Sequence, residues 1–322
     1  MENIEKLGLM VFAIALFAAV MGVVLLVVGR ARGRSDLVAS LAFVLPAFLM
    51  LAVGLLYPAL RTIYQSFFDR RTVNFVGLDN YETIVTNPAL VTVLQNTFLW
   101  VVITPIVATF IGLVYAVLVD RARIEALAKA LIFLPLAISL VGASIIWRFV
   151  YEFRPDQQGV EQIGIANQVL VWLGFEPQQF LLGWPSNTLF LIVVLIWVQA
   201  GFAMTVLSAA IKAIPADITE AARLDGLAGP KMFRYITVPS IRPALIVVLT
   251  TISIGTLKVF DIVRTMTGGQ FDTSVVANEF YAQSFRQGER GLGSALAVVL
   301  FILVIPIVIY NVRQLRKAGE YR

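Results

Sequence analysis

Long apolar runs separated by shorter polar segments set the pattern of this chain. A helix crosses the ~30 Å hydrocarbon core of a bilayer with about 20 consecutive apolar residues. Seven stretches reach that length, at about 7–28, 37–60, 94–119, 130–151, 188–211, 241–264 and 293–312. Pro46, Pro105, Pro135, Pro243 and Pro306 fall inside them. Neighbouring helices can satisfy the carbonyls that a proline frees, so these residues predict kinks and not ends. The pattern therefore predicts an all-α integral membrane protein with about seven transmembrane helices.

The polar segments decide orientation. With the N-terminus outside, the inner segments are 29–36, 120–129, 212–240 and 313–322, and they hold 14 Lys and Arg. The outer segments, 1–6, 61–93, 152–187 and 265–292, are longer in total and hold 7. Cytoplasmic segments carry the excess of Lys and Arg, which predicts an outside N-terminus and a cytoplasmic C-terminus. The first stretch reads as a retained span and not as a cleaved signal. Met1–Lys6 carries two Glu and one Lys, and Arg30, Arg32 and Arg34 follow the apolar run. That run is also longer than the ~7–15 residues of a signal core.

Composition narrows the function. Of 322 residues, 59% are hydrophobic and 14% charged, whereas a soluble domain carries roughly a quarter charged residues. The formal charge of +5 sits mainly on the inner segments, so it is a topology signal and no nucleic-acid partner is expected. Cys and His are absent, which removes thiolate and imidazole metal sites and every Ser-His-Asp or Cys-His arrangement. No G-x-x-x-x-G-K-[ST] loop occurs, so ATP binding by this chain itself is not expected. Trp172, Phe175 and Trp184 in the third outer segment suit membrane-interface anchors.

The inner segment 212–240 is long enough to do more than connect. Pro215 and Asp217 suit a helix start, and Ile218, Ala221 and Ala222 then share one face by i, i+3, i+4 spacing. Gly226 and Gly229–Pro230 break the segment, and Met232, Phe233 and Ile236 form a second apolar stripe. The prediction is a helix, a tight turn and a helix, with small alanines where another protein can approach closely. Glu220, Arg223 and Asp225 offer polar registration for docking of a helix into a groove. A loop lying on lipid headgroups is the alternative, though that reading favours more Lys and Arg and larger apolar residues.

The spacing also carries a resemblance. Glu220, Ala221, Ala222, three residues, Gly226, nine residues, then Ile236, Val238 and Pro239 resembles the signature loop of permease subunits of binding-protein-dependent ABC importers. Ile211–Pro215, Pro239–Pro243, Phe75–Tyr81, Leu134–Pro135 with Ile146–Arg148, and Val259–Asp261 with Thr267–Gly269 are similar to the sugar-permease branch. The likeness covers about residues 37–318. It implies an extra N-terminal helix and basic loop over 1–36, and a six-helix permease core over 37–322 with its coupling loop at 212–240. It also implies that Glu220, Ala221, Ala222, Arg223, Asp225 and Gly226 form a coupling helix seated on a separate cytoplasmic ATPase dimer, which would hold the ATP and Mg. The other implied partners are a second homologous permease, an extracytoplasmic solute-binding protein and membrane lipid, in a bacterial inner membrane. The chain itself would do no bond chemistry.

Polar groups at bilayer depth are costly and so mark candidate sites. Gln199 with Phe202 on the fifth core-length run, and Ser253 with Thr256 on the sixth, supply the aromatic face, amide and hydroxyls that a sugar needs. In maltose-type permeases sugar contacts come from the same two spans, and the resemblance places contact positions at Val198, Gln199 and Phe202 and at Ile252, Thr256 and Val259. Ile252 and Val259 are apolar where that permease uses hydrogen-bonding side chains. Ser and Thr in a span also commonly bond back to their own helix, and Gln199 also suits a contact between helices. Lys258, Asp261 and Arg264, at i, i+3 and i+6, suit an ion pair or snorkelling. The run Leu257–Val263 looks most like permeases for α-glucosides such as maltose or trehalose. A single-chain secondary sugar transporter would normally show repeats or midplane carboxylates, and only Asp261 lies within a span. An intramembrane enzyme would need a Ser–Lys or Asp pair at depth.

Overall fold

The computed structural model describes residues 36–120, 124–155 and 163–320, with a few isolated positions between 10 and 29. The first predicted span, 7–28, lies outside the described residues. Two units are distinguished, Met1–Tyr64 and Gln65–Arg322. In the first, α1 (Asp36–Leu51) and α2 (Tyr57–Gln65) are joined by a π-helical turn, Ala52–Leu56.

The second unit holds α3 (Asp79–Thr86), α4 (Pro88–Val119), α5 (Glu125–Phe133), α6 (Leu140–Val150), α7 (Ile165–Trp172) and α8 (Ser186–Lys212). They are followed by α9 (Ala216–Leu224), α10 (Gly229–Met232), α11 (Val238–Leu257), α12 (Asp261–Met266), α13 (Val276–Tyr281) and α14 (Arg290–Glu320). No strand occurs among the described residues. Five helical stretches are long and apolar enough to cross a membrane, and a bent pair makes a sixth. These match the six later predicted spans.

The bundle is organised on α4 and α8, which make the most extensive helix pair in the chain. They run parallel. At one end the Thr188 hydroxyl meets Asn96 Oδ1 at 3.3 Å, and at the other the Ser208 hydroxyl donates to Asp120 Oδ1 at 2.6 Å. The interval from Thr188 to Ser208 spans about 30 Å at 1.5 Å per residue, the thickness of a hydrocarbon core. Between these anchors the backbones nearly touch. A Cβ on Gly112 would stand 2.5 Å from Ala203 Cβ and 2.6 Å from Met204 N. On the side of α8 that meets α5, a Cβ on Gly201 would stand 2.5 Å from the Ile132 carbonyl oxygen. Lipid tails are as apolar as leucine, so membrane helices gain little from hydrophobicity alone. Small residues that permit close packing supply the attraction instead. Asn311 adds a bond between helices, donating to Thr250 Oγ1 at 2.6 Å.

Two predicted spans differ from the structure. The run at 130–151 is not one rod: α5 with the following 3₁₀ turn Leu134–Ala137 meets α6 at 103°. Pro135 cannot continue the α-helical ladder, Ile138 is extended, and Ser139 caps α6 by accepting from the Gly142 N–H at 3.1 Å. The run at 241–264 ends early, at Leu257, and starts early. The π turn Phe233–Thr237 joins α10 to α11, so one stretch extends over Gly229–Leu257. The second stripe of the 212–240 loop is therefore the first turns of a span. Lys258 and Asp261 fall on either side of a helix break, which removes the basis for their i, i+3 pairing.

Two of the three π turns among the described residues share a cause, and the third, Ala282–Gln287, ends at the left-handed Gly288 with no proline after it. Ala52–Leu56 and Phe233–Thr237 each end two residues before a proline, Pro58 and Pro239. A proline ring clashes with the carbonyl four residues back. Widening to i→i+5 bonds, as from the Tyr57 N–H to the Ala52 carbonyl and from Val238 to Phe233, relieves that clash without ending the helix.

Candidate functional site

Helix α9 starts after Pro215, whose φ of −55° suits the last residue before a helix. Asp217 in its first turn and Arg223 in its last both complement the helix dipole. Its end is a Schellman motif. The Leu227 N–H reaches back to the Ala222 carbonyl at 2.9 Å and the Gly226 N–H to the Arg223 carbonyl at 3.0 Å, with Gly226 left-handed at φ +80°. Nothing lies within 4 Å of where a Gly226 Cβ would stand. The glycine of the signature is thus required by backbone conformation and not by crowding.

Ala222 is buried, but Ala221, Glu220, Arg223, Asp225 and Gly226 are exposed. The predicted common face of Ile218, Ala221 and Ala222 is therefore divided. Successive residues of a helix point about 100° apart, and the buried side passes through Thr219 and Ala222. The outward side presents Ile218, Ala221 and Leu224, with Leu224 90% exposed. An exposed leucine beside an isoleucine and an alanine, flanked by Glu220, Arg223 and Asp225, has the chemistry of a docking face.

The network that fixes the end of α8, from which the chain enters α9, was not visible in the sequence. Four residues before it, the end of α8 is tied to the end of α4 and the start of α5. Lys129 donates to Asp120 and Ser208 and, at 2.9 Å, to Glu125; Lys212 pairs with Glu125. Two lysines balance two carboxylates. The shared partners bring the ends of α4, α5 and α8 to one point.

The candidate substrate residues lie on α8 and α11. Gln199 is half-buried, and its amide has no hydrogen-bond partner among the described residues. Phe202 packs against the main core, as does Trp197, whose ring meets Trp147 at 5.9 Å. Ser253 and Thr256 donate to the Leu249 and Ile252 carbonyls of their own helix at 2.8 and 2.7 Å, and Thr256 is buried. Their donor capacity is already used within α11. Arg264 lies over the Tyr281 ring at 5.3 Å. The sequence reading passed over α4, where Trp100 Nε1 and the hydroxyls of Thr104 and Thr109 are buried without a hydrogen-bond partner among the described residues. No group of three or more metal-ligating side chains occurs among the described residues.

Comparison with known proteins agrees with this geometry. The family model described as "binding-protein-dependent transport system inner membrane component" matches residues 7–316. The chain is 46% identical over 280 residues to the osmoprotective compounds uptake permease protein of Synechocystis sp., covering 87% of this chain and all of that protein. It is 46% identical over 281 residues to the alpha-glucoside transport system permease protein of Rhizobium meliloti, covering 87% of this chain and 83% of that protein. In fold it is similar to a chain of a bacterial ABC transporter that imports alginate, with a TM-score of 0.73 at 20% identity over 86% of this chain and 94% of that one. An exposed signature helix at one end of a bundle built on parallel, closely packed membrane helices, with these relatives, places the chain in the family of inner-membrane components of binding-protein-dependent transport systems, as a multi-pass permease subunit of an ABC importer.

Proposed function

We propose that this subunit forms half of a sugar pathway whose substrate is an α-glucoside or a related oligosaccharide. The relatives support this class: one is named for α-glucosides, and others at 28% identity for arabinooligosaccharides and for trehalose and maltose. The observation that carries the coupling role is the exposed apolar face of α9, ended by the left-handed Gly226 and anchored through Lys212 to α4 and α5.

In this reading residues 29–36, 120–129, 212–240 and 313–322 face the cytoplasm and the N-terminus lies outside, with residues 1–36 as an added helix and loop before the core. Helix α9 seats in a groove of a separate ATPase dimer that binds ATP and Mg. ATP binding closes the dimer and moves α9. The ion network passes that movement to α4, α5 and α8 together, and a second, homologous permease completes the path. A ligand shifts a conformational equilibrium only through its differential affinity for the two states; here ATP favours the closed dimer and hence the outward-open permease pair. A solute-binding protein delivers sugar outside, and Gln199 beside Trp197 and Phe202 offers the unspent amide and flat rings to receive it.

The test is reconstitution of the subunit with its partners in proteoliposomes, assayed with labelled trehalose, maltose and sucrose. Uptake that requires ATP and the binding protein is the expected result. Uptake by this chain alone, driven by an ion gradient, contradicts the reading.

A further inference from the structure

At the end of the bundle opposite α9, a cavity of about 570 Å³ opens among Arg148, Tyr151, Gln179, Phe180, Gln270 and Phe271. Both of its walls are held by buried asparagines. Asn167, fully buried, donates to the Glu152 and Gln178 carbonyls at 2.8 and 3.2 Å and accepts from the Gln178 N–H at 2.8 Å. This fixes the segment that carries Gln179 and Phe180. Phe180 in turn packs against Tyr151 and Phe190, with ring centroids 5.4 and 4.8 Å apart.

The facing wall is the loop Gly268–Asp272. Phe271 and Asp272 are left-handed, at φ +58° and +57°, although neither is glycine. Each such residue costs about 1–3 kcal/mol and persists only where its surroundings over-determine it. Here Asn187 donates to the Phe271 carbonyl at 2.6 Å, and Asn96 donates to the Asp272 and Ser274 carbonyls, the latter at 2.9 Å. Trp184 Nε1 holds Asn96 from behind at 3.0 Å. These buried amides account for the loop's backbone. They leave unexplained why Gln270 and Phe271 project, exposed, into the cavity.

Arg148 adds a second observation. Arg148 lines the same space, and its guanidinium has neither an ion pair nor a hydrogen bond among the described residues. Glu152 lies on the same wall, so the described lining residues carry no net charge. A third is the row of rings leading away from the cavity. Tyr151 lies 5.2 Å from Trp147, and Trp147 lies 5.9 Å from Trp197, two residues from Gln199. Gln199 is about 16 Å along α8 from the Thr188 end.

We propose that this cavity is an entry site for a neutral sugar of about disaccharide size, occupied before the sugar reaches Gln199. Arg148, Gln179 and Gln270 donate to hydroxyls, and Phe180 and Phe271 cover the apolar face of a ring. The volume falls within the ~300–1,000 Å³ of small-molecule sites. Rigid walls allow binding without an ordering cost. The inference rests on the sugar-importer reading and on its orientation, which puts this end outside.

The natural absence of cysteine allows a direct test. Gln270→Cys in the assembled complex is labelled with a membrane-impermeant thiol reagent in right-side-out vesicles, with maltose, trehalose or sorbitol present, and labelling of this chain is read by gel shift. The expected result is labelling from outside, slowed by the transported disaccharide but not by sorbitol. The slowing is about tenfold at a sugar concentration about ten times its dissociation constant. Adding Arg148→Gln is expected to abolish that protection. Unprotected labelling in a complex that still transports the disaccharide overturns the entry site and leaves the importer reading intact. Labelling only from inside overturns the orientation as well. No labelling from either side means that a partner fills the cavity, which also overturns the proposal.

Discussion

The α4–α8 seam and the α9 turn both depend on glycine, for opposite reasons. In the seam Gly112, and beside it Gly201 where α8 meets α5, have ordinary helical backbones but no room, since an added Cβ would meet Ala203 or Met204 in the first case and Ile132 in the second at 2.5–2.6 Å. At the turn, Gly226 has open space but a left-handed backbone at φ +80°. Crowding makes one set structural. Conformation makes the other a terminator that sets where an exposed helix ends. A glycine in a membrane protein is therefore best interpreted by asking which of the two it satisfies, because the two predict different failures.

The largest expected effect lies in the seam. Gly112→Val must push apart backbone atoms that no rotamer can move aside, an overpacking cost of about 1–3 kcal/mol or more. The prediction is a lower melting midpoint in detergent and less assembled complex; an unchanged midpoint would mean that the two helices are not packed as closely as described. Gly226→Val is expected to do the reverse. It disturbs one turn, at about 1–2 kcal/mol locally, so the midpoint stays near wild type while uptake falls about tenfold or more. Gly226→Asn sharpens the contrast, because asparagine tolerates the left-handed region and is expected to restore most of the uptake. Equal loss in Val and Asn variants would show that side-chain bulk and not backbone conformation matters at this turn.

Smaller effects are expected at the candidate sugar residues, and these too divide. Gln199→Leu removes an amide with no internal partner. A hydrogen bond of about 1 kcal/mol corresponds to roughly a fivefold rise in KM for sugar, with the midpoint unchanged. Ser253→Ala removes a hydroxyl already bonded to the Leu249 carbonyl, so uptake is expected to stay within about 0.5 kcal/mol of wild type. A larger loss in Ser253→Ala than in Gln199→Leu would place the sugar on α11 and not on α8.

Much of this was legible in the chain. Apolar runs located the six later spans, five as helices long and apolar enough to cross and one as a bent pair. Direction was less legible. The run over 130–151 has span-like hydropathy, yet Pro135 and the capping Ser139 turn it through 103°. The spacing of Ile218, Ala221 and Ala222 identified a stripe, but only packing shows that Ala222 turns inward while Ala221 stays out. The ion network joins Lys129 and Asp120 to Ser208 across separations of 79 and 88 residues, which no local pattern carries. Phe271 and Asp272 gave no sign of left-handed backbone, because the buried amides that impose it lie on α4 and α8.

The most direct test of the coupling account is photocrosslinking from α9. A photoreactive residue at Leu224, which is 90% exposed, is predicted to trap the ATPase subunit of the active complex in high yield. One at buried Ala222 is predicted not to, and the Leu224 yield should change when ATP is bound. Crosslinking from Leu224 to lipid alone, in a complex whose ATPase is still stimulated by the binding protein, would show that α9 lies on the membrane surface and couples nothing.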